Sequence, residues 1–189
     1  IYYYNMSIKT PICDFGKAAE SFELKSTNNE VVKFNDVKGK NGTLIMFICN
    51  HCPYVKAVIK DIVDDCNNLK ILGIKSVAIC SNDSINHPDD SFDKMIEFSK
   101  KHNFNFPYLI DKTQEIAKNY NAVCTPDFFG YNKNLELQYR GRIRELNNLK
   151  SIRAGESDLY KAMKQIAETD IGPKDQIPSM GCSIKWLNN

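Results

Sequence analysis

Two cysteines three positions apart dominate the chemistry that this sequence could perform. They are Cys49 and Cys52, and His51 lies between them in the run CNHC. A reactive thiolate beside a second thiol is the minimum machinery for disulfide exchange. A protonated His51 would add positive charge beside Cys49 and make the disulfide more oxidising. Two thiolates and an imidazole are also ligands for Cu(I) or Zn²⁺, so the pattern indicates a redox pair first and a metal site second.

The residues on either side of the pair predict a strand followed by a helix. The apolar run TLIMFIC, residues 43–49, is typical of a central parallel strand covered on both faces. From Pro53 onward apolar residues recur at helical spacing, and proline suits the first turn of a helix. We therefore expect Cys49 at or just before a helix N-terminus, as an exposed nucleophile whose low pKa reflects the helix dipole. Cys52, one turn further in, would resolve the mixed disulfide.

The remaining pattern predicts one α/β domain over residues 1–169, followed by an irregular tail over 170–189. A hairpin is expected around Thr27–Asn29, and a strand at Ile74–Cys80. Further predicted elements are a helix near 92–102, a strand at 106–111, a short helix at 113–121, an antiparallel pair at 127–132 and 135–143, and a helix near 158–168. The tail holds two prolines and two glycines without periodicity, and this predicts an irregular segment that is packed on the domain or extends from its surface.

A second site signal lies far along the chain, at Thr125-Pro126. This dipeptide directly precedes the strand DFFGYN, where the predicted topology places a cis-proline loop that faces the cysteine pair. Only about one X–Pro bond in twenty is cis in folded proteins. We expect the cis form here from the position of the dipeptide.

The other cysteines divide into core thiols and candidates for a redox role. The chain has seven cysteines, an odd number that fits no disulfide framework and favours a reducing, cytoplasmic compartment. Cys66 and Cys80 lie in apolar surroundings typical of buried thiols. Cys124 is either a buried thiol or an accessory redox or substrate contact. Cys182 either folds back to exchange disulfides with the pair or is an exposed thiol, and Cys13 receives no assignment.

Composition excludes several classes of function. The 189 residues carry a formal net charge of +2 without a basic face, which argues against nucleic-acid binding. No apolar run reaches the 18 residues of a membrane span. The amino terminus shows no signal-peptide pattern, and either a removed leader or a start at Met6 is compatible with it.

Several separate blocks resemble one known family. They are MFICNHCPYVK (46–56), SND (81–83), FPYLIDKTQEIAKNYNAVCTPDFF (106–129), YRGRI (139–143) and PSMGCSIKW (178–186). From Phe22 onward the chain resembles the thioredoxin-like superfamily, in its alkyl hydroperoxide reductase/thiol-specific antioxidant (redoxin) group.

The resemblance implies a fold and a set of roles. The fold would be a central mixed β-sheet flanked by helices, with an N-terminal β-hairpin extension. Cys49 would be the nucleophile and Cys52 the resolving thiol. The backbone of Thr125 and Pro126 would pair with a bound thiol substrate, and we expect Asn50 and Pro53 to contact it as well.

The leading hypothesis is a thiol–disulfide oxidoreductase without a bound cofactor or metal. Its partners would be protein or low-molecular-weight disulfides and a reductase or thiol electron donor, and a homodimer could form through the closing edge strand or the tail. One alternative is a copper or zinc chaperone in which His87 or His102 adds a distant ligand. The other is a thiol peroxidase, against which the run before Cys49 counts, because it lacks the Pro-x-x-x-Thr/Ser-x-x-Cys motif of peroxiredoxins.

Overall fold

The computed structural model describes residues 7–188 of the chain. The expectations about a leader and about a start at Met6 concern residues outside this range. The strands are β1 (Ser7–Lys9), β2 (Glu23–Ser26), β3 (Val31–Lys33), β4 (Gly42–Phe47), β5 (Ile74–Cys80), β6 (Tyr108–Ile110), β7 (Cys124–Thr125), β8 (Asp127–Tyr131), β9 (Leu137–Tyr139), β10 (Leu146–Asn147), β11 (Lys150–Ser151) and β12 (Met180–Ser183). The helices are α1 (Pro53–Ile71), α2 (Phe92–Lys101), α3 (Glu115–Asn119) and α4 (Asp158–Thr169), with 3₁₀ turns at Phe34–Val37 and Pro88–Asp90.

Strand β4 forms the centre of the main sheet because both of its faces are apolar. Leu44 and Met46 pack into one core cluster, and Ile45 and Phe47 into the cluster on the opposite face. Side chains alternate across a strand, so a continuous apolar run is the pattern of a strand buried on both sides. All six residues of β4 are buried, which confirms the predicted central strand.

Seven strands make up the main sheet, in the order β3-β2-β6-β5-β4-β8-β9. Strands β4, β5 and β6 run parallel, whereas β8, β9 and the β2–β3 hairpin pair antiparallel. The sheet is therefore mixed, as expected, and the hairpin extends it through β6. Because β4 and β5 are parallel neighbours, the loops that follow them meet at one edge of the sheet.

Helices cover both faces of this sheet. Helix α1 contributes Val55, Val58 and Ile62 to one core cluster, which α2 and α4 complete. On the other face α3 contributes Ala117, and the segment around the hairpin adds Phe22 and Phe34. The predicted thioredoxin-like arrangement of a mixed sheet between helices is confirmed.

Helix α1 begins where the sequence predicted. Cys52 is its N-cap residue and Pro53 its first residue, so Cys49 lies in the loop between β4 and the helix, just before the helix N-terminus.

The tail is more ordered than predicted. Strand β12 lies between β1 and β7 and pairs antiparallel with both. Residues before it also join the body of the domain, since Gln176 Oε1 accepts from the backbone N–H of Arg140 at 2.8 Å. The expected irregular segment thus contains a strand of a second, three-stranded sheet. Its pairing partners lie far away in sequence, and the tail's own composition gives no sign of them.

Membrane-spanning helices are not found among residues 7–188, because no helix there combines the required length with sufficient apolar character.

Candidate thiol site

Three separate parts of the chain bring sulfur atoms together at the carboxyl end of β4. The loop after β4 carries Cys49, the N-cap of α1 carries Cys52, and β12 carries Cys182. The Thr125–Pro126 bond between β7 and β8 is cis, as the resemblance implied. Thr125 contacts both members of the pair. Its Oγ1 is 3.4 Å from Cys49 Sγ, and its carbonyl oxygen is 3.1 Å from Cys52 Sγ.

Both cysteines of the pair are inaccessible in this structure. Cys49 is 1% exposed and Cys52 is 0% exposed. The expectation of an exposed Cys49 was therefore wrong. It rested on the loop position alone and could not include β12, which pairs with β7 beside the two sulfurs.

The pKa values of the pair are also reversed relative to expectation. Burial raises the pKa of Cys49 well above its ordinary value, and the contact with Cys52 and the charge of Asp90 act in the same direction. The pKa of Cys52 is lowered, because Cys182 and Cys49 contact its sulfur and the backbone N–H of Val55 adds a further hydrogen bond. The helix N-terminus thus favours the thiolate of Cys52, the residue that actually caps the helix.

Cys182 completes the sulfur cluster. Its Sγ lies 3.0 Å from the Sγ of Cys52. This contact, together with burial, raises the pKa of Cys182. The three sulfurs therefore form one cluster with Cys52 in the middle, where a thiolate is more favoured at Cys52 than at Cys182.

His51 is held by a buried carboxylate. Its Nδ1 lies 2.6 Å from an oxygen of Asp90, whose side chain is fully buried. This contact raises the pKa of His51 above its ordinary value of 6.5, against the opposing effect of partial burial. Burial acts to raise the pKa of Asp90, but the contacts from His51 and Asn82 outweigh it and the pKa is lowered. The contact with Asp90 thus favours the cationic form of His51 next to the cysteine pair.

Asp90 also fixes the loop that carries the pair. Its Oδ1 accepts from the backbone N–H of Asn50 at 2.8 Å, and its Oδ2 accepts from Asn82 Nδ2 at 2.8 Å. The side chain of Asn50 is in turn held by the hydroxyl of Tyr108 at 2.8 Å. Asn50 is buried, whereas Pro53 is exposed at the rim.

The sequence reasoning missed Asp90, Asn82 and Tyr108. Asp90 and Asn82 lie in the polar loop after β5, and Cys49 follows β4. Once β4 and β5 are recognised as parallel neighbours, the rule that their carboxyl ends meet would have directed attention to acidic residues of this loop. Tyr108 gave no comparable signal, because it reads as an ordinary core residue of β6.

The other cysteines lie apart from the exchange chemistry or deep in the core. Cys66 and Cys80 are buried as predicted, and burial raises the pKa of each to about 12. Cys124 is also buried, on β7, and burial raises its pKa. Cys13 is half-buried, and burial raises its pKa to about 11.

Cys49, His51 and Asp90 form the group that comes closest to a metal site among residues 7–188, with ligand atoms within 4.8 Å of one another. This set differs from the predicted one, because it includes neither His87 nor His102. His87 stacks on His51 at 6.1 Å between ring centroids, and His102 packs on Phe98. His51 Nδ1 and an oxygen of Asp90 already contact each other at 2.6 Å, so a metal ion at this group would have to displace their ion pair.

A cleft of about 450 Å³ includes residues adjacent in sequence to the site, although none of the three clustered cysteines lines it. Its walls include Tyr54, Pro126, Arg142, Ile177 and Met180. The cis-proline segment thus forms part of a groove large enough for a peptide or a small thiol.

Comparison with known proteins places this geometry in a family context. The AhpC/TSA family matches residues 15–146. An uncharacterized conserved protein from Geobacillus kaustophilus is 38% identical, with a TM-score of 0.92 over 98% of each chain. A hypothetical protein from Sinorhizobium meliloti 1021 is 30% identical, with a TM-score of 0.90 over 97% of this chain and 100% of its own.

More distant similarity extends to thioredoxin domains. The thioredoxin domain of a thiol-disulfide oxidoreductase from Bacteroides vulgatus is 15% identical, with a TM-score of 0.57 over 67% of this chain and 86% of its own. At this identity the likeness concerns the fold. No curated protein matches the chain.

Proposed function

Because the chain belongs to the AhpC/TSA family, we infer that it is a thiol–disulfide oxidoreductase whose redox couple is Cys49 and Cys52. The thioredoxin-like fold supports a redox function. The observation that carries the assignment to these residues is their common contact with Thr125. Both sulfurs touch this one residue next to the cis-proline, at 3.4 and 3.1 Å. The proposed reaction converts a disulfide substrate to two thiols while the pair becomes a disulfide, or runs in reverse.

His51 and Asp90 support this chemistry electrostatically. A cationic His51 stabilises a thiolate at Cys49 when the disulfide opens, and this favours the reduced form. Asp90 orients the imidazole from a fully buried position and favours its charged form by raising the pKa of His51. His51 is therefore proposed as a catalytic residue, with Asp90 positioning it.

The cleft beside Pro126 is the proposed binding place for substrates. Its mixed apolar and cationic lining suits protein disulfides or low-molecular-weight thiols. We assign substrate contacts to Thr125, Pro126 and the exposed Pro53, and a supporting role in the loop to Asn50. A reductase or a small thiol would supply or remove the electrons. The predominance of unpaired cysteines favours a cytoplasmic location.

The two alternative functions are less well supported. For peroxide reduction, the residues before Cys49 would have to supply a hydroxyl, but that strand is entirely apolar from Leu44 to Ile48. Thr125 brings one hydroxyl near Cys49 from another part of the chain, so we expect only slow reaction with peroxide. Metal binding is disfavoured by the ion pair that already engages His51 and Asp90.

A dimer through the tail would need a free strand edge. Both edges of β12 are already paired, with β1 and β7. The edges of the main sheet, β3 and β9, are therefore the proposed places for any homodimer contact.

Redox titration tests the assignment. The protein is equilibrated with mixtures of reduced and oxidised glutathione, and the cysteines that pair are mapped by mass spectrometry. We expect a two-electron transition that yields a Cys49–Cys52 disulfide, absent in Cys49→Ser and present in the control Cys13→Ser. Absence of this disulfide in the wild type, or stoichiometric copper or zinc on these thiols, would overturn the proposal.

A further inference from the structure

A third sulfur belongs to the cluster, although the CNHC pattern and the family match do not include it. Cys182 lies beyond residue 146, where that match ends. Its Sγ is 3.0 Å from Cys52 Sγ, roughly 1 Å longer than a disulfide bond. Cys52 therefore has two thiol neighbours, one on each side, and can form a disulfide with either of them.

The backbone holds Cys182 in this position from both sides. Cys182 lies directly opposite Thr125 in the pairing of β12 with β7, and opposite Ser7 in the pairing with β1. The preceding residue is Gly181, and a Cβ there would overlap the carbonyl oxygen of Thr125. The close approach that brings Cys182 to Cys52 thus depends on a glycine at this position.

The three sulfurs differ in their access to solvent. Cys49 and Cys52 are 1% and 0% exposed, whereas Cys182 is only half-buried. A thiol or disulfide from outside therefore meets Cys182 first. Contact with Cys52 and burial raise the pKa of Cys182, and the nearby charge of Lys185 opposes this rise only in part, so the accessibility of Cys182 is what favours its reaction with outside disulfides.

We propose that Cys182 is a third catalytic cysteine, which exchanges disulfides with outside thiols and relays the oxidation through Cys52 to Cys49. This proposal rests on the function assigned above. The relay through Cys182 would be the route by which the buried pair Cys49 and Cys52 is oxidised and reduced.

Each step of the relay conserves electrons and protons. With oxidised glutathione as the probe, the Cys182 thiolate attacks one glutathione sulfur, and the glutathione disulfide breaks to release one glutathione thiolate. The Cys52 thiolate then attacks Cys182 Sγ, which forms the Cys52–Cys182 disulfide and releases the second glutathione. Finally the Cys49 thiolate attacks Cys52 Sγ, which forms the Cys49–Cys52 disulfide and returns Cys182 as a thiolate. The two protons lost by the pair go to the two glutathione thiolates, and the reverse sequence reduces the pair.

The electrostatics of the cluster suit these steps. The Cys182 thiol, the Cys49 thiol and the backbone N–H of Val55 lower the pKa of Cys52. The last two do not depend on a proton of Cys182, so they still favour the Cys52 thiolate when Cys182 carries glutathione. The hydrogen bond with Cys52 and the negative charge of Cys52 both raise the pKa of Cys49. Both contributions disappear when Cys52 enters a disulfide. His51 then lies close enough to stabilise the Cys49 thiolate.

Trapping in the Cys52→Ser variant identifies the sulfur that reacts first. This variant keeps Cys182 and Cys49 but lacks the thiolate that resolves the adduct. After exposure to oxidised glutathione and acid quenching, we expect glutathione on Cys182. Glutathione on Cys49, or no adduct under conditions that oxidise the wild type, would overturn the relay.

Kinetics in the Cys182→Ser variant provide the second measurement. We expect formation of the Cys49–Cys52 disulfide by oxidised glutathione to slow at least tenfold, with a midpoint potential close to that of the wild type. Cys13→Ser, which changes another half-buried thiol, should oxidise at the wild-type rate. A Cys182→Ser rate within twofold of the wild type would contradict the relay.

The outcomes separate the two proposals. If the Cys49–Cys52 disulfide never forms in the wild type, the proposed function fails whatever Cys182 does. If it forms equally fast with and without Cys182, only the relay fails. If removal of Cys182 slows it and the adduct maps to Cys182, both stand.

Discussion

His51 and Asp90 should give this protein a characteristic dependence of stability on pH. The raised pKa of His51 means that its contribution is complete below about pH 6.5 and is lost as the pH rises through the folded-state value. The lowered pKa of Asp90 means that its contribution is present above about pH 3.8 and is lost as the pH falls further. The pair therefore stabilises the fold most between these two values.

For this pair we expect His51→Gln to lower the free energy of unfolding by roughly 1–2 kcal/mol at pH 5 to 6. The deficit should shrink toward pH 9. Urea unfolding across this range measures this deficit. His87→Gln serves as the control, because the His87 side chain stacks on His51 but forms no ion pair with Asp90 among residues 7–188, and the one His87 hydrogen bond with Asp90 is made by the backbone. A deficit that does not change with pH would contradict the ion pair.

Thr125 should tune the redox couple through its hydroxyl. The 3.4 Å contact between Thr125 Oγ1 and Cys49 Sγ should favour the reduced form, because a thiolate accepts a hydrogen bond more strongly than a disulfide sulfur does. Thr125→Val removes a contact worth about 1 kcal/mol, so the midpoint potential should become more negative by roughly 20 mV. Thr125→Ser keeps the hydroxyl and should stay near the wild-type potential. Equal potentials for the two variants would show that the hydroxyl has no influence.

At the scale of elements, β12 depends on the glycine that lets it approach the cis-proline segment. Gly181→Ala introduces a Cβ that would overlap the carbonyl oxygen of Thr125. We expect a loss of roughly 1–3 kcal/mol in unfolding free energy, typical of overpacking, and loss of the Cys52–Cys182 disulfide on mild oxidation. Ser183→Ala on the same strand adds no atoms and serves as the control. Wild-type stability in Gly181→Ala would show that β12 does not pack as described.

The elements also show what the sequence could and could not predict. Strands β4 and β5 and helix α1 carry their own signals, because their apolar residues follow the period of the structure they form. Strand β12 carries no such signal, since it is short and half-exposed and is specified by partners more than 50 residues away. The position of the cysteine pair between a strand and a helix could therefore be predicted from the sequence. Its burial could not, because the burial depends on β12.

Across the whole molecule, the two disulfides that Cys52 can form should differ in their effect on stability. Cys49–Cys52 closes a loop of four residues, whereas Cys52–Cys182 joins positions 130 residues apart. Loop-closure entropy predicts about 2 kcal/mol for the first and about 5 kcal/mol for the second. Two-electron oxidation of the protein would thus raise the free energy of unfolding by different amounts, depending on which of the two disulfides forms.

Unfolding of oxidised variants measures this difference. Cys49→Ser can form only the long cross-link within the cluster, and Cys182→Ser only the short one. We expect the oxidised form of Cys49→Ser to gain roughly 3 kcal/mol more than that of Cys182→Ser, each relative to its own reduced form. Equal gains would indicate that the long cross-link does not form.

The separation of Cys52 from Cys182 along the chain also has a consequence in time. At about 5–20 residues per second, a ribosome that has added Cys52 needs roughly 6–26 s to add Cys182, which lies 130 positions later. During that interval the nascent chain carries the pair without its third sulfur, and β7, once it has been made, still lacks the strand β12 that pairs with it. A nascent chain therefore passes through a period in which Cys49 and Cys52 are accessible to outside thiols and disulfides. Synthesis of the C-terminal residues that form β12 ends this period.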